Sequence, residues 1–142
     1  MGIKYLNKDS ILSAHNSVIN ASGGLEGVKN EGQLESVLFH IQNDDYYPTF
    51  EKKMVHLVYS IAKFHLFNDG NKRTSIASGA YFLNINGFEY CSDIFIEEME
   101  NIILWVVIDL IDKDLLEEII VSIIINLSLT EEIKIKLLSI EK

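Results

Sequence analysis

The sequence predicts a single compact all-α domain, and three observations carry that prediction. Apolar residues recur at i, i+3, i+4 and i+7 along most of the 142 residues, which places them on one face of successive amphipathic helices. Hydrophobic residues make up 48% of the chain and charged residues 23%, enough apolar side chain to build a core without metal or disulfide staples. The only proline is Pro48, so helices can run uninterrupted on either side of it.

The first helix is expected from about Asp9-Ser10, with Ile11, Leu12, Ala14, Val18 and Ile19 on its apolar side and Gly23-Gly24 as its stop. His15 within it, and His40 beside the next helix, read as ordinary surface or partly buried histidines. Gln33 to Ile41 reads as a short second helix that turns Leu34, Val37, Leu38 and Ile41 inward. The pattern breaks from Gln42 to Thr49. Thr49 can cap a third helix, Phe50 to Phe67, whose periodicity is set by Val55, Val58, Tyr59, Ala62 and Phe64 and whose His56 reads as structural. A fourth helix runs from Asn71 to about Asn86, its apolar pattern marked by Ile76, Ala77, Ala80, Tyr81 and Leu83, with Asn86-Gly87 as its stop. A short extended piece is expected at Phe88 to Cys91.

The fifth helix covers Asp93 to Ile111, and its run Ile102 to Ile108 is apolar nearly all round, which predicts a central buried helix. Glu100 and Asp109 bracket that run, and it falls short of the roughly 20 apolar residues a bilayer span needs. Leu115 to Leu127 forms a sixth helix, although the β-branched run Ile119 to Ile125 leaves a strand open. Ser128 to Lys142 adds one more, with Leu129, Ile133, Leu137 and Ile140 on one face and Ser128 or Thr130 as its cap. The expected organisation is a main domain over 1–127 with a C-terminal helical extension over 128–142 packed on it.

Composition bounds the chemistry. A formal charge of −9 argues against a broad nucleic-acid-binding face, whereas a local cationic pocket for a nucleotide remains compatible with it. The lone Cys91 cannot form an internal disulfide and reads as a small buried hydrophobe. With no signal or transit segment evident, a cytoplasmic location is expected.

One stretch carries far more polar chemistry than a connection between apolar helices needs: His65-Leu66-Phe67-Asn68-Asp69-Gly70-Asn71-Lys72-Arg73-Thr74. Asn71 is a good N-cap for the fourth helix, whose free backbone N–H groups would then form an anion site. Gly70 tolerates positive φ and lets the backbone approach a phosphate closely. Lys72 and Arg73 add a point charge and a bidentate fork. Asp69 among phosphate binders makes sense with a divalent cation between them, and magnesium takes one or two carboxylates with waters and phosphate oxygens. His65 is of the type that titrates near neutrality and suits removal of a proton from an attacking hydroxyl. Phe67 reads as the apolar pin that anchors the loop to the core.

This run resembles the active-site loop of the Fic/Doc superfamily, His-x-Phe-x-(Asp/Glu)-(Gly/Ala)-Asn-(Gly/Lys)-Arg, with every specified position filled. It is most similar to the death-on-curing, or Doc, branch of toxins restrained by a small antitoxin. Gly23-Gly24-Leu25-Glu26-Gly27 and Leu34-Glu35-Ser36 upstream, and Ala80-Tyr81-Phe82-Leu83 with Asn86-Gly87 downstream, resemble Doc proteins too, so that the resemblance reaches about Asn126. It implies a Fic/Doc-type helical bundle with room for a small β-hairpin flap that aligns the target, for which Asn43, Asp44, Asp45, Tyr46 and Tyr47 are the candidates. A plain acidic loop is the alternative there.

The resemblance also implies ATP and Mg2+ as cofactors and a hydroxyl on a target protein, by analogy a translation elongation factor, as acceptor. Catalytic His65, metal-holding Asp69 and phosphate-binding Gly70, Asn71, Lys72 and Arg73 follow from it position by position. Lys72 resembles the phosphorylating Doc branch, where most Fic enzymes carry glycine and transfer AMP. Gly70 follows the AMP-transferring enzymes, and Leu66 departs from their common proline. A Doc-like kinase is therefore the first expectation, with nucleotidyl transfer or a non-catalytic binding module as alternatives. A Phd-like antitoxin is the implied partner, and the C-terminal extension is a candidate to occupy or extend its groove. Ser22 to Gly27 also spells the inhibitory Ser/Thr-x-x-x-Glu-Gly/Asn helix of related Fic enzymes. Gly23-Gly24 disfavours a helix there, so the match reads as accidental, and a second at Ser128 and Glu132 fails at Ile133.

Overall fold

A computed structural model describes residues 2–141. Asn7 opens the first helix: its side chain accepts the Ser10 N–H, so α1 spans Lys8–Ser22 and starts slightly earlier than Asp9. Ile11, His15 and Ile19 form its buried stripe. The helix ends where Gly23 turns to φ 81 and returns its N–H to the Ile19 carbonyl. Asn30 caps α2 (Glu31–His40) through the Gln33 N–H, again ahead of the expected start.

The segment Asn43 to Tyr47 forms no hairpin. Asn43 Oδ1 accepts the N–H groups of Asp45 and Tyr46, and its carbonyl accepts that of Tyr47, so one side chain organises a turn. Beneath it Lys53, 1% exposed, donates to the Ile41 carbonyl at 2.7 Å and to Asp44 Oδ1 at 2.8 Å. Among the described residues the only β-type pairing is an isolated antiparallel bridge, Val28 with Phe67.

Thr49 caps α3 (Phe50–Lys63) through the Lys52 N–H. The helix stops before Phe67, because Phe64 leaves helical geometry and His65 takes φ 51. Met54, Leu57, Val58 and Ile61 are fully buried, and α3 packs against α2, α4 (Asn71–Ile85), α5 (Ser92–Val107) and α6 (Lys113–Asn126). It is therefore the central helix. The apolar α5 is not: Ile102, Ile103 and Val106 are buried, but Leu104 and Ile108 are 47% and 61% exposed. It also ends short of Ile111, since Asp109 turns to φ 66 beside its ion-pair partner Lys63.

The α4 helix crosses its neighbours closely at Gly79, where a Cβ would stand 2.7 Å from Phe95 and 2.9 Å from Val58. Asn86 at its end exchanges hydrogen bonds with the Lys4 backbone and pins the N-terminal strap. The expected extended piece is instead a 3-10 turn, Glu89–Cys91. The Ile-rich segment is helical as α6, capped by Asp112, with Ile119, Ile120 and Ile123 buried and Ile125 left 72% exposed. Thr130 caps α7 (Glu131–Glu141) through the Ile133 N–H. Leu129 and Ile133 join the main core, and Ser122 on α6 donates to the Ser128 carbonyl and accepts the Thr130 N–H. Lys142, included in the expected last helix, lies outside the described residues. No described helix is long and apolar enough to cross a membrane.

Candidate active site

The motif occupies the corner between α3 and α4, and each part of it has a local cause. Leu66 and Phe67 are 0% and 1% exposed and anchor the loop, while His65 stands exposed in left-handed backbone geometry. Gly70, not Asn71, is the N-cap of α4, at φ 76 and ψ 19. The Asn71 amide serves the loop instead, since Oδ1 accepts the Phe67 N–H and Nδ2 donates to the Phe67 carbonyl, both at 3.0 Å. That closes the loop upon itself and corrects the capping role expected of Asn71. The Thr74 N–H is the first of the helix to find an acceptor, the Gly70 carbonyl. Those of Asn71, Lys72 and Arg73 are the ones a helix start leaves without an intrahelical partner.

A second segment holds this loop from outside. Gly23 to Asn30 lies along it, with the Lys29 and Asn30 N–H groups donating to the Leu66 carbonyl and the Asn68 N–H to the Gly27 carbonyl. Asn68 Nδ2 donates to the Glu26 carbonyl, and Arg73 Nη1 to the Gly23 carbonyl. Glycine is required where the two segments touch. A Cβ on Gly24 would stand 2.6 Å from Asp69 Oδ2, and one on Gly27 2.7 Å from Asn68 Nδ2. The segment beside the motif is thus Gly23 to Asn30. Asn43, Asp44, Asp45, Tyr46 and Tyr47 are engaged instead with α3, through Asp44 to Lys53 and through Tyr47 stacked 4.4 Å from His56.

The Asp69 carboxylate receives the Leu25 N–H at 3.1 Å on one oxygen and the Gly70 N–H at 2.8 Å on the other. Those two backbone donors, with the nearby charges of Arg73 and Lys72, hold its pKa below the ordinary value. Arg73 Nη2 lies 3.9 Å from the same carboxylate, and Lys72 beside it is exposed. Among the described residues no group of three or more His, Cys, Asp or Glu side chains gathers to hold a metal alone. An ionised, half-exposed Asp69 with free lone pairs fits magnesium, which completes its shell with water and phosphate oxygens. Glu26 is exposed and forms no ion pair with Arg73 among the described residues, and the chain from Gly23 to Asn30 is not helical, so the inhibitory spelling at Ser22 to Gly27 builds no inhibitory helix.

Seven expected site residues, His65, Phe67, Asp69, Gly70, Asn71, Lys72 and Arg73, therefore share one corner. His15, an ordinary histidine by its sequence, is buried directly behind the loop, with Nε2 2.8 Å from the Asp69 carbonyl and its ring stacked on Phe67. Its signal in the sequence is position: it falls midway between Ile11 and Ile19 on the buried stripe of α1.

Comparison with known proteins identifies the family. The sequence pattern of the Fic/DOC family matches residues 5–83, a shorter stretch than the resemblance to about Asn126. The chain is 30% identical over 91 residues to "Protein kinase doc" of Escherichia phage P1, covering 61% of this chain and 71% of that protein. It is 32% identical over 103 residues to "Toxin Doc" of Mycolicibacterium smegmatis, covering 70% of this chain and 77% of the relative. With the full motif folded into one anchored corner and the match spanning more than half of its length, the chain belongs to the Fic/DOC family, on the Doc side of it.

Proposed function

We propose that this protein is a Doc-like toxin that transfers the γ-phosphoryl group of Mg-ATP to a hydroxyl of a target protein. The observation that carries the reading is the α3–α4 corner itself. An exposed His65 precedes a helix start whose first N–H groups have no intrahelical acceptor, with Lys72 and Arg73 in its first turn and an ionised Asp69 directly before it. His65 accepts the proton of the target hydroxyl, whose oxygen forms a new bond to the γ-phosphorus as the bond to the bridging oxygen breaks. ADP leaves with that electron pair. The α4 amides, Lys72 and Arg73 stabilise the charge on the transferring group, since phosphoryl transfer is mostly positioning and electrostatics. Magnesium, when held by Asp69, would neutralise phosphate charge.

Lys72 and the phage relative's name support phosphorylation over AMP transfer. Gly70 is weak support for AMP transfer, because its left-handed conformation is reason enough for glycine. By family resemblance the target is a translation elongation factor in the cytoplasm, and a Phd-like antitoxin restrains the enzyme.

Purified protein incubated with magnesium, a bacterial lysate and ATP labelled at either the α or the γ position tests this. Label on a protein band from γ-ATP alone is expected, and label from α-ATP would establish nucleotidyl transfer instead. His65→Ala should lower transfer by roughly 10²- to 10⁴-fold while leaving the fold intact, because His65 is exposed. Undiminished toxicity of that variant would favour the non-catalytic binding module.

A further inference from the structure

One buried titratable side chain behind the motif has no part in the chemistry proposed above. His15 is 2% exposed at the middle of α1. Its ring lies flat on Phe67, with centroids 4.0 Å apart and planes 7° from parallel, and Nε2 is 2.8 Å from the Asp69 carbonyl oxygen. A carbonyl oxygen only accepts, so Nε2 carries the proton.

That carbonyl belongs to the peptide joining Asp69 to Gly70. The amide end of the same peptide, the Gly70 N–H, donates to Asp69 Oδ1 at 2.8 Å. A peptide is planar, so fixing its carbonyl fixes the direction of its N–H and of the carboxylate oxygen bound there. The same plane leads the chain into the left-handed Gly70 from which α4 starts. Ile19, one turn further along α1, supports it from the same side, its Cδ1 3.1 Å from where a Gly70 Cβ would stand.

We infer that His15 is a positioning residue of this site. Its Nε2–H holds the Asp69–Gly70 peptide in the orientation that aims the Asp69 carboxylate and the first N–H groups of α4 at one bound Mg-nucleotide. The role rests on the nucleotide-phosphate reading of the corner. A residue that only filled space would need the ring stack and not the donor, and the two are separable. Phenylalanine keeps a ring against Phe67 without a donor, and glutamine keeps a donor without the ring.

The test compares the full-length wild type with His15→Phe and His15→Gln. Proton–nitrogen correlation spectra of histidine-labelled wild type should show His15 as the Nε2–H form. His15→Phe should melt close to wild type yet raise the KM for Mg-ATP and the half-saturating magnesium concentration roughly tenfold, the range for a lost partner behind a ligand. His15→Gln should restore both to within about threefold of wild type, as a retained donor predicts. An Nδ1–H tautomer, an unchanged KM and magnesium dependence in His15→Phe, or a His15→Gln as weak as His15→Phe would each overturn the assignment. Should His15→Phe fail to fold, the tautomer and the glutamine variant decide. Wild type that shows the Nε2–H form but binds no Mg-ATP by calorimetry would refute the nucleotide reading, and the positioning role with it, while leaving the hydrogen bond intact.

Discussion

Two histidines, one within α3 and one just past its end, show how environment sets a residue's role. His65 is exposed at the corner in left-handed backbone geometry, free to meet a substrate, and such strained conformations concentrate at functional sites. His56 on α3 is enclosed by Tyr47, Ser60 and Lys113, whose Nζ donates to Nδ1 at 3.2 Å. Burial first, and the Lys113 charge second, push its pKa down from 6.5 to about 4. The unfolded chain therefore takes up a proton here that the folded protein refuses. The stabilising contribution of neutral His56 is complete above pH 6.5 and is lost as the pH falls towards about 4. The stability difference between wild type and His56→Gln, from urea unfolding at pH 7 and pH 4, should shift against wild type by about 3 kcal/mol on acidification. An unchanged difference would show that His56 protonates equally in both states. The sequence separates the two by context, His65 inside the polar run and His56 outside it, but burial and partners, which set the His56 pKa, come only from the packing around α3.

At the scale of elements, periodicity locates every helix and misplaces several ends. It carries the third helix to Phe67 and the fifth to Ile111, because apolar spacing continues past the true ends. They stop where His65 and Asp109 turn left-handed, close to the Lys63–Asp109 ion pair that ties the two ends together. Close packing is equally hidden in Gly79, which looks in the sequence like any helix glycine. Gly79→Ala should destabilise the fold by about 1–3 kcal/mol through the overlap with Phe95 and Val58, despite the better helix propensity of alanine. A melting temperature equal to or above that of wild type would mean that the α3–α4–α5 crossing relaxes freely. The C-terminal extension is by sequence a candidate for the antitoxin groove. Since Leu129 and Ile133 are buried in the main core, truncation after Leu127 should lower stability by roughly 3 kcal/mol. Calorimetry on the truncated chain checks this, and antitoxin affinity measured below its melting point checks the groove role separately.

The whole molecule carries a formal charge of −9 around one small cationic corner. A partner with a basic segment should be steered to it, and its association rate should fall severalfold between about 0.05 and 0.3 M salt, as the Debye length shortens. Stopped-flow rates independent of salt would assign recognition to apolar contacts instead. The sequence by itself determined the all-α class, the core stripes and the motif, because periodicity and a contiguous run of catalytic residue types are local properties of the chain. Only the tertiary structure decided what surrounds that run. The Gly23 to Asn30 clamp, the peptide held by His15 and the demotion of Asn43 to Tyr47 to a turn braced by Lys53 each join, or fail to join, segments distant in sequence. The first two depend on how α1 packs across α4 and the third on how the chain before α3 folds back on it, and no local spacing encodes either.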